Sequence, residues 1–156
     1  MIVILDNIRS LHNTGSIFRT ADAAGIEKIY LAGITPEPID GFGKPRQQFV
    51  KVSLGAEKSV KWEKTKSTSR LIDKLKKEGF KILAIEQSKK SIPYHKVILR
   101  PAQGKIALVF GNEISGISGA ILKKCDKILE IPMKGKKESL NVAVAFGIAV
   151  FHMLYP

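Results

Sequence analysis

The chain has 156 residues, 44% of them hydrophobic, which is enough for one compact domain with its own core and too apolar for a disordered segment. A single cysteine, Cys125, rules out an internal disulfide, and the longest apolar stretch, Val142 to Tyr155, is too short to span a bilayer. The formal charge is +12, and the whole excess lies between Lys44 and Lys105, where 17 Lys and Arg stand against 5 Asp and Glu; elsewhere 9 balance 9.

A field this lopsided suits a polyanionic partner, nucleic acid before any other. A surface kept basic only for solubility would not need its charge concentrated in one segment. A membrane surface is disfavoured, because the basic residues do not fall on one amphipathic helix. Asp6 interrupts the first apolar run at once, so the N-terminus does not read as a signal peptide, and a cytoplasmic location is expected. Cys125 is expected to be a partly buried spectator, and no metal is expected.

In chain order, Ile2 to Leu5 reads as a strand. Asn13 to Ala24 reads as a helix with Ile17, Ala21 and Ala24 on one face and Gly25 as its stop. Lys28 to Leu31 is a strand, Gly33 to Gly43 a loop, and Pro45 to Ser59 an undecided stretch with room for a short helix. Thr68 to Glu78 is a helix that buries Leu71, Ile72 and Leu75, and Phe80 to Ile85 is a strand. A basic loop from Ser88 to Arg100 leads to a strand over Lys105 to Phe110. A helix over Ser118 to Lys124, a strand over Ile128 to Ile131 and a helix over Ser139 to Leu154 complete the pattern. There is no internal repeat and no low-complexity linker. The alternation predicts a single α/β domain over residues 1–156, a mostly parallel sheet flanked by helices.

Parallel sheets bind ligands at the carboxyl ends of their strands. Polar and glycine-rich stretches follow directly after predicted strands at "HNTGSIFRT", "GNEISGIS" and "IPMKGKKESLN", so they are expected to line one cleft. In the first, Asn13 is placed to cap its helix, and Gly15 and Arg19 share a face. The missing side chain of Gly15 admits a ligand or another chain segment. Arg19 offers a planar fork of donors suited to phosphate, although an ordinary exposed arginine would look the same. In the second, Gly111 and Gly116 let backbone groups face a flat ligand closely, and the spacing fits neither a P-loop nor a dinucleotide fingerprint. Glu113 stands out as an acidic residue near a strand end in a very basic chain, although capping the following helix or pairing with a lysine would account for it equally well. In the third, Ser139 is placed to cap the last helix, and Ile131, Met133 and Leu140 provide apolar walls beside exposed backbone, as an adenine ring requires.

Taken together, the three stretches resemble the motifs of the SpoU (TrmH) family of SPOUT RNA methyltransferases. The first matches N-x-G-x-x-x-R-T at Asn13, Gly15, Arg19 and Thr20. The second matches G-x-E-x-x-G at Gly111, Glu113 and Gly116. The third matches I-P-M-x-G-x-x-x-S-L-N-V from Ile131 to Val142. The resemblance covers nearly the whole chain and implies a bare catalytic domain, without the separate RNA-binding domain that many relatives carry. It implies a deep C-terminal trefoil knot, which chain physics alone would not propose. It implies S-adenosyl-L-methionine as cofactor, held by Gly111, Asn112, Gly116, Ile131, Met133, Ser139 and Leu140. It implies ribose 2′-O-methylation of RNA, tRNA ranked ahead of rRNA, with Arg19, Asn13, Glu113, Ser139 and Asn141 as the catalytic set. A homodimer through the first and last helices is also implied, and an accessory RNA-binding protein is left open. The alternative is a non-catalytic RNA-binding or ribosome-assembly module on the same fold.

Overall fold

The structure is a computed structural model that describes residues 1–97 and 104–156; the end of the expected basic loop, including Arg100, lies outside the described residues. The elements run β1 (Ile2–Asp6), α1 (Leu11–Ala24), β2 (Lys28–Ala32), α2 (Gln47–Ser53), α3 (Ala56–Ser59) and β3 (Lys61–Thr65). They continue with α4 (Thr68–Lys77), β4 (Phe80–Ile85), β5 (Ile92–Pro93), β6 (Lys105–Phe110), α5 (Gly119–Leu122), β7 (Lys127–Glu130) and α6 (Val142–Leu154). Among the described residues the strands form one sheet in the order β3-β2-β1-β6-β4-β7-β5, with every pairing parallel. The expected α/β architecture is therefore observed.

β1 is buried from end to end, as its unbroken apolar run demands of a strand covered on both faces. It pairs with β2 on one side and, 105 residues later in register, with β6 on the other (Ile2 opposite Ala107). The pleat sorts its side chains to two cores. Val3 and Leu5 join Phe18, Phe49 and Phe146 beneath α1, α2 and α6. Ile2 and Ile4 join Leu71, Ile72, Leu75 and Ile121 beneath α4 and α5. Asp6 follows the even positions, toward the α4 and α5 side.

Two strands were not legible in the sequence. β3, "KWEKT", is an edge strand with no apolar run, and its lysines and glutamate blunt that edge against further pairing. β5 is only Ile92–Pro93 on the opposite edge, where the missing proline N–H is tolerated. Two caps also differ from expectation. Asn13 does not cap α1; the helix begins at Leu11, and Ser10 Oγ accepts from Asn13 N–H (3.1 Å). Ser139 does not cap α6; the helix begins at Val142, and Asn141 Oδ1 accepts from Ala143 N–H (2.8 Å). In both cases the helix boundary leaves a different side chain free for the sheet edge.

Gly25 ends α1 as expected, at φ 74°. Gly15 admits a chain segment: a Cβ there would lie 3.0 Å from Phe49 O and 3.3 Å from Val52 Cβ, so α2 packs directly on α1. Cys125 is partly buried, and burial pushes its thiol up to about 11, which keeps it protonated and inert.

Candidate active site

The loops after β1, β6 and β7 all leave the carboxyl edge of the sheet, and hydrogen bonds tie them together. Glu113, in the turn after β6, reaches back to the start of α1. Arg9 N–H donates to Oε2 (2.8 Å) and Ser10 N–H to Oε1 (3.0 Å). The Asn13 amide donates to Oε1 as well (3.0 Å). The carboxylate thus satisfies unpaired N–H groups entering α1, where the helix dipole also favours negative charge. It caps neither α5 nor a lysine, the two ordinary roles open to it from sequence. Burial pushes the Glu113 carboxyl up, but the hydrogen bonds from Arg9, Asn13 and Ser10 outweigh it and hold the group below its usual range.

Asn13 passes the connection on. Its Oδ1 accepts from Asn141 Nδ2 (3.1 Å), and Asn141 in turn caps α6. Glu113, Asn13 and Asn141 therefore form a relay that joins the three motif loops across separations of 100 and 128 residues. Asn112 adds a further tie, donating to Asn7 O (2.7 Å).

The glycines of the second motif are required by the chain's own packing. A Cβ on Gly111 would lie 2.7 Å from the backbone of Gly116 and Ile117. A Cβ on Gly116, at φ 64°, would lie 2.4 Å from Glu86 Oε2, the oxygen that accepts from Ile117 N–H (2.9 Å). Glu86 and Gln87 were missed in the sequence, although they follow β4 as directly as the motif loops follow their own strands. Glu86 fixes the Gly116 turn, and Gln87 Nε2 donates to Glu138 O (2.6 Å), fastening the β7–α6 loop down.

Between these loops lies a cleft of ≈ 200 Å³. It brings together the expected Gly111, Asn112, Gly116, Ile131, Met133, Ser139 and Leu140. Glu113 and the unforeseen Glu86 and Gln87 also line it. Phe110, Val142 and Ile85 close its apolar side. Asn13 and Asn141 stand at its margin through the relay. Arg19 is exposed on α1, makes no hydrogen bond among the described residues, and does not line the cleft. Among the described residues no group of side chains could hold a metal ion, and no helix is long and apolar enough to cross a membrane.

A parallel sheet with an apolar-walled cleft at its carboxyl edge, built from three loops locked by a carboxylate and two asparagines, defines an α/β ligand-binding domain of enzyme type. Residues 1–151 match the SpoU rRNA methylase family, and the chain belongs to it. It is 36% identical over 152 residues to a tRNA (guanosine(18)-2'-O)-methyltransferase of Aquifex aeolicus, covering 97% of this chain and 67% of that protein. It is 32% identical to a 23S rRNA (guanosine(2553)-2'-O)-methyltransferase of Bacillus subtilis, covering 97% of this chain and 57% of that protein. The fold superposes on the crystal structure of an AdoMet-bound rRNA methyltransferase from Sinorhizobium meliloti with a TM-score of 0.85 at 29% identity, covering 97% of this chain and 54% of that one. The chain thus spans between 54% and 67% of the length of these relatives.

Proposed function

We propose that the chain is an S-adenosyl-L-methionine-dependent RNA ribose 2′-O-methyltransferase acting on tRNA or rRNA, with tRNA ranked first. The observation that carries this reading is the Glu113–Asn13–Asn141 relay, which assembles three separate motifs around one apolar-walled cleft. Names of relatives support the substrate class.

The cleft fits the methyl donor. Ile131, Met133 and Leu140 would flank an adenine ring, and backbone groups near Gly111 and Leu140 would read its edge. When bound, that group supplies a sulfonium methyl already activated for attack. The chain's own residues then have positioning and electrostatics to provide. The guanidinium of Arg19 offers N–H donors and no acceptor, which suits it to binding and not to proton abstraction. Its fork clamps RNA phosphate and the developing alkoxide, which suits an arginine that is exposed on its helix and makes no hydrogen bond among the described residues. RNA lying across α1 bridges Arg19 to the cleft. Glu113, Asn13, Asn141 and Ser139 hold the loops and the ribose in register, and the ribose proton leaves through phosphate or solvent.

Residues 1–156 act as one catalytic domain in this reading. Its β6–α6 segment is threaded as the trefoil knot of the family, a view supported by the ties of Glu86 to Ile117 and of Gln87 to Glu138. Two copies pair through α1 and α6, supported by the exposure of Val144 and Phe151 on an almost wholly apolar helix. The protein acts in the cytoplasm on RNA steered by its basic middle segment.

The test is cofactor binding beside single-turnover methyl transfer. S-adenosylhomocysteine should raise the melting temperature of the isolated protein, and Met133→Asp or Leu140→Asp should abolish the rise. Arg19→Ala should slow transfer by ~100-fold or more with RNA saturating, and Arg19→Lys should not restore it fully. Folded protein that binds no cofactor, or Arg19→Ala with wild-type transfer, would overturn the reading.

A further inference from the structure

Phe42 is the most exposed large apolar side chain among the described residues, 92% open to solvent, and it belongs to neither core. A lone apolar side chain on a surface is ordinary, but this one is presented by a built support. It sits at the tip of a hairpin in the β2–α2 loop. Asp40 N–H donates to Lys44 O (2.8 Å), Arg46 N–H to Pro38 O (2.8 Å) and Gly43 N–H to Asp40 O (3.0 Å). Asp40 Oδ1 accepts from Phe42 N–H (2.9 Å) and from Lys44 N–H (2.9 Å). Arg46 Nε donates to Ile39 O (3.0 Å) and closes the base of the hairpin. The loop is rooted in the sheet by the buried Thr35, whose Oγ1 donates to Leu5 O (2.8 Å) and accepts from Ile8 N–H (3.0 Å). Lys64 Nζ holds it from the other side, donating to Gly33 O (2.7 Å) and to Thr35 O. Ordering a turn this thoroughly costs chain entropy, and the ring it presents packs nothing inside the fold.

The tip is basic. Lys44 and Arg46 are exposed beside Phe42, and neither forms an ion pair among the described residues. Asp40, the only acid between Pro38 and Arg46, has its Oδ1 committed to the backbone. The hairpin also stands on the edge that carries the cleft. β2 pairs with β1 and β1 with β6, all parallel, so their carboxyl ends open onto one rim. Exposed apolar side chains continue along that rim: Ile34 at the root of the loop, and Ile114, which lines the cleft itself. Hydrogen bonds make them one unit. Ile34 N–H donates to Asn7 Oδ1 (3.1 Å), Asn112 Nδ2 to Asn7 O (2.7 Å), and Ile114 N–H to Asn112 Oδ1 (2.9 Å).

An aromatic face beside free cations, followed by apolar side chains, matches an unpaired nucleic-acid strand. Its bases offer π-faces and its phosphates offer charge. A second copy of the chain is a poorer occupant, because its own Lys44 and Arg46 would repel these. We propose that Phe42 is a base-stacking platform for the RNA substrate. It takes the face of one unpaired base, Lys44 and Arg46 take the flanking phosphates, and the strand runs past Ile34 to Ile114 at the cleft. Stacking reads no base edge, so the platform accepts any of the four bases and positions the strand without selecting its sequence. The inference rests on the RNA-modifying reading above and adds a positioning residue outside the three motifs.

The probes are single-stranded RNA octamers, one of adenylate and one of uridylate, titrated against the full chain by fluorescence anisotropy at several salt concentrations. Wild-type protein should bind both. Phe42→Ala should weaken both by ~10-fold or more, the scale of one lost stacked base. Its slope of log affinity against log salt should be unchanged, because no phosphate contact is removed. Phe42→Leu keeps an apolar side chain and should not restore binding, whereas Phe42→Trp should. The added tryptophan should change its emission when RNA binds, with the wild type, whose one tryptophan is Trp62 on β3, as the blank. Lys44→Gln should instead make the salt slope shallower by about 0.7. Phe42 touches neither core, so an unchanged melting temperature reports that its variants are folded. No binding of either octamer at low salt, or Phe42→Ala or Phe42→Leu binding as the wild type does, would overturn the proposal. So would tryptophan emission at position 42 that saturating RNA leaves unmoved. A dimeric wild type that Phe42→Ala converts to monomers in light scattering would also overturn it, by making the tip a contact between copies. The two readings fail separately. Octamer binding that depends on Phe42, without methyl transfer to RNA, removes the enzyme reading alone. Methyl transfer whose KM for RNA is the same in Phe42→Ala as in the wild type removes this one alone.

Discussion

Glu113→Ala would remove the acceptor of Arg9 N–H, of Ser10 N–H and of the Asn13 amide in one step. The carboxylate is exposed, so solvent replaces part of what is lost. The appropriate scale is therefore deletion of a helix N-cap, about 1 kcal/mol, and not three charge-assisted bonds added together. For a chain of this length that lowers the melting temperature by roughly 2–4 °C. The effect should not stop at α1. Asn13 loses the partner that orients it, and its Oδ1 is what Asn141 Nδ2 donates to. Glu113→Ala and Asn141→Ala should therefore be non-additive, with a coupling of about 0.5 kcal/mol or more, although they are joined through Asn13 and not by a hydrogen bond of their own. Acid gives an independent check. Because the folded carboxyl is held below its usual range, its contribution is complete above the ordinary glutamate value and is lost as pH falls through the lowered one. Wild-type protein should lose more stability across that window than Glu113→Ala does. Thermal unfolding of the wild type, both single variants and the double variant, each at neutral and acid pH, measures all three effects. Strict additivity together with parallel acid profiles would show that the motif loops are neighbours without being a unit.

Gly116→Ala should destabilise the fold by about 1–3 kcal/mol in urea titration, since the new methyl meets the Glu86 carboxylate at a positive φ; an unchanged midpoint would refute that packing argument. Phe151→Glu, on the exposed face of α6, should convert a dimer to monomers in light scattering, and a dimer that survives it places the interface elsewhere.

Much of the fold was legible because its central strands are long apolar runs with punctuated ends. β1, β4 and β6 fall within a residue of where the alternation places them, and the buried faces of α1 and α4 are the expected ones. β3 escaped because an edge strand is recognised by its neighbour and not by its own composition. The site was legible as a set of loops, since a parallel sheet sends all its strand ends to one edge. What the loops do for each other was not. Asn13 and Ser139 look like caps because asparagine and serine are good caps anywhere. That Ser10 and Asn141 take those roles depends on contacts made across the fold.

The place of β6 between β1 and β4 bears on how the chain is made. β1 emerges first and finds β2 within 32 residues, yet its other edge waits for Lys105–Phe110. At ribosomal rates of about 5–20 residues per second, that edge stands open for several seconds or more. It carries four apolar residues in a row and has no charge to discourage a wrong partner until Asp6. The nascent amino-terminal half is therefore a sticky, half-finished sheet. The late strand must be inserted into its middle and cannot simply be added at a rim, so the interval before residue 110 is when this protein most needs a chaperone.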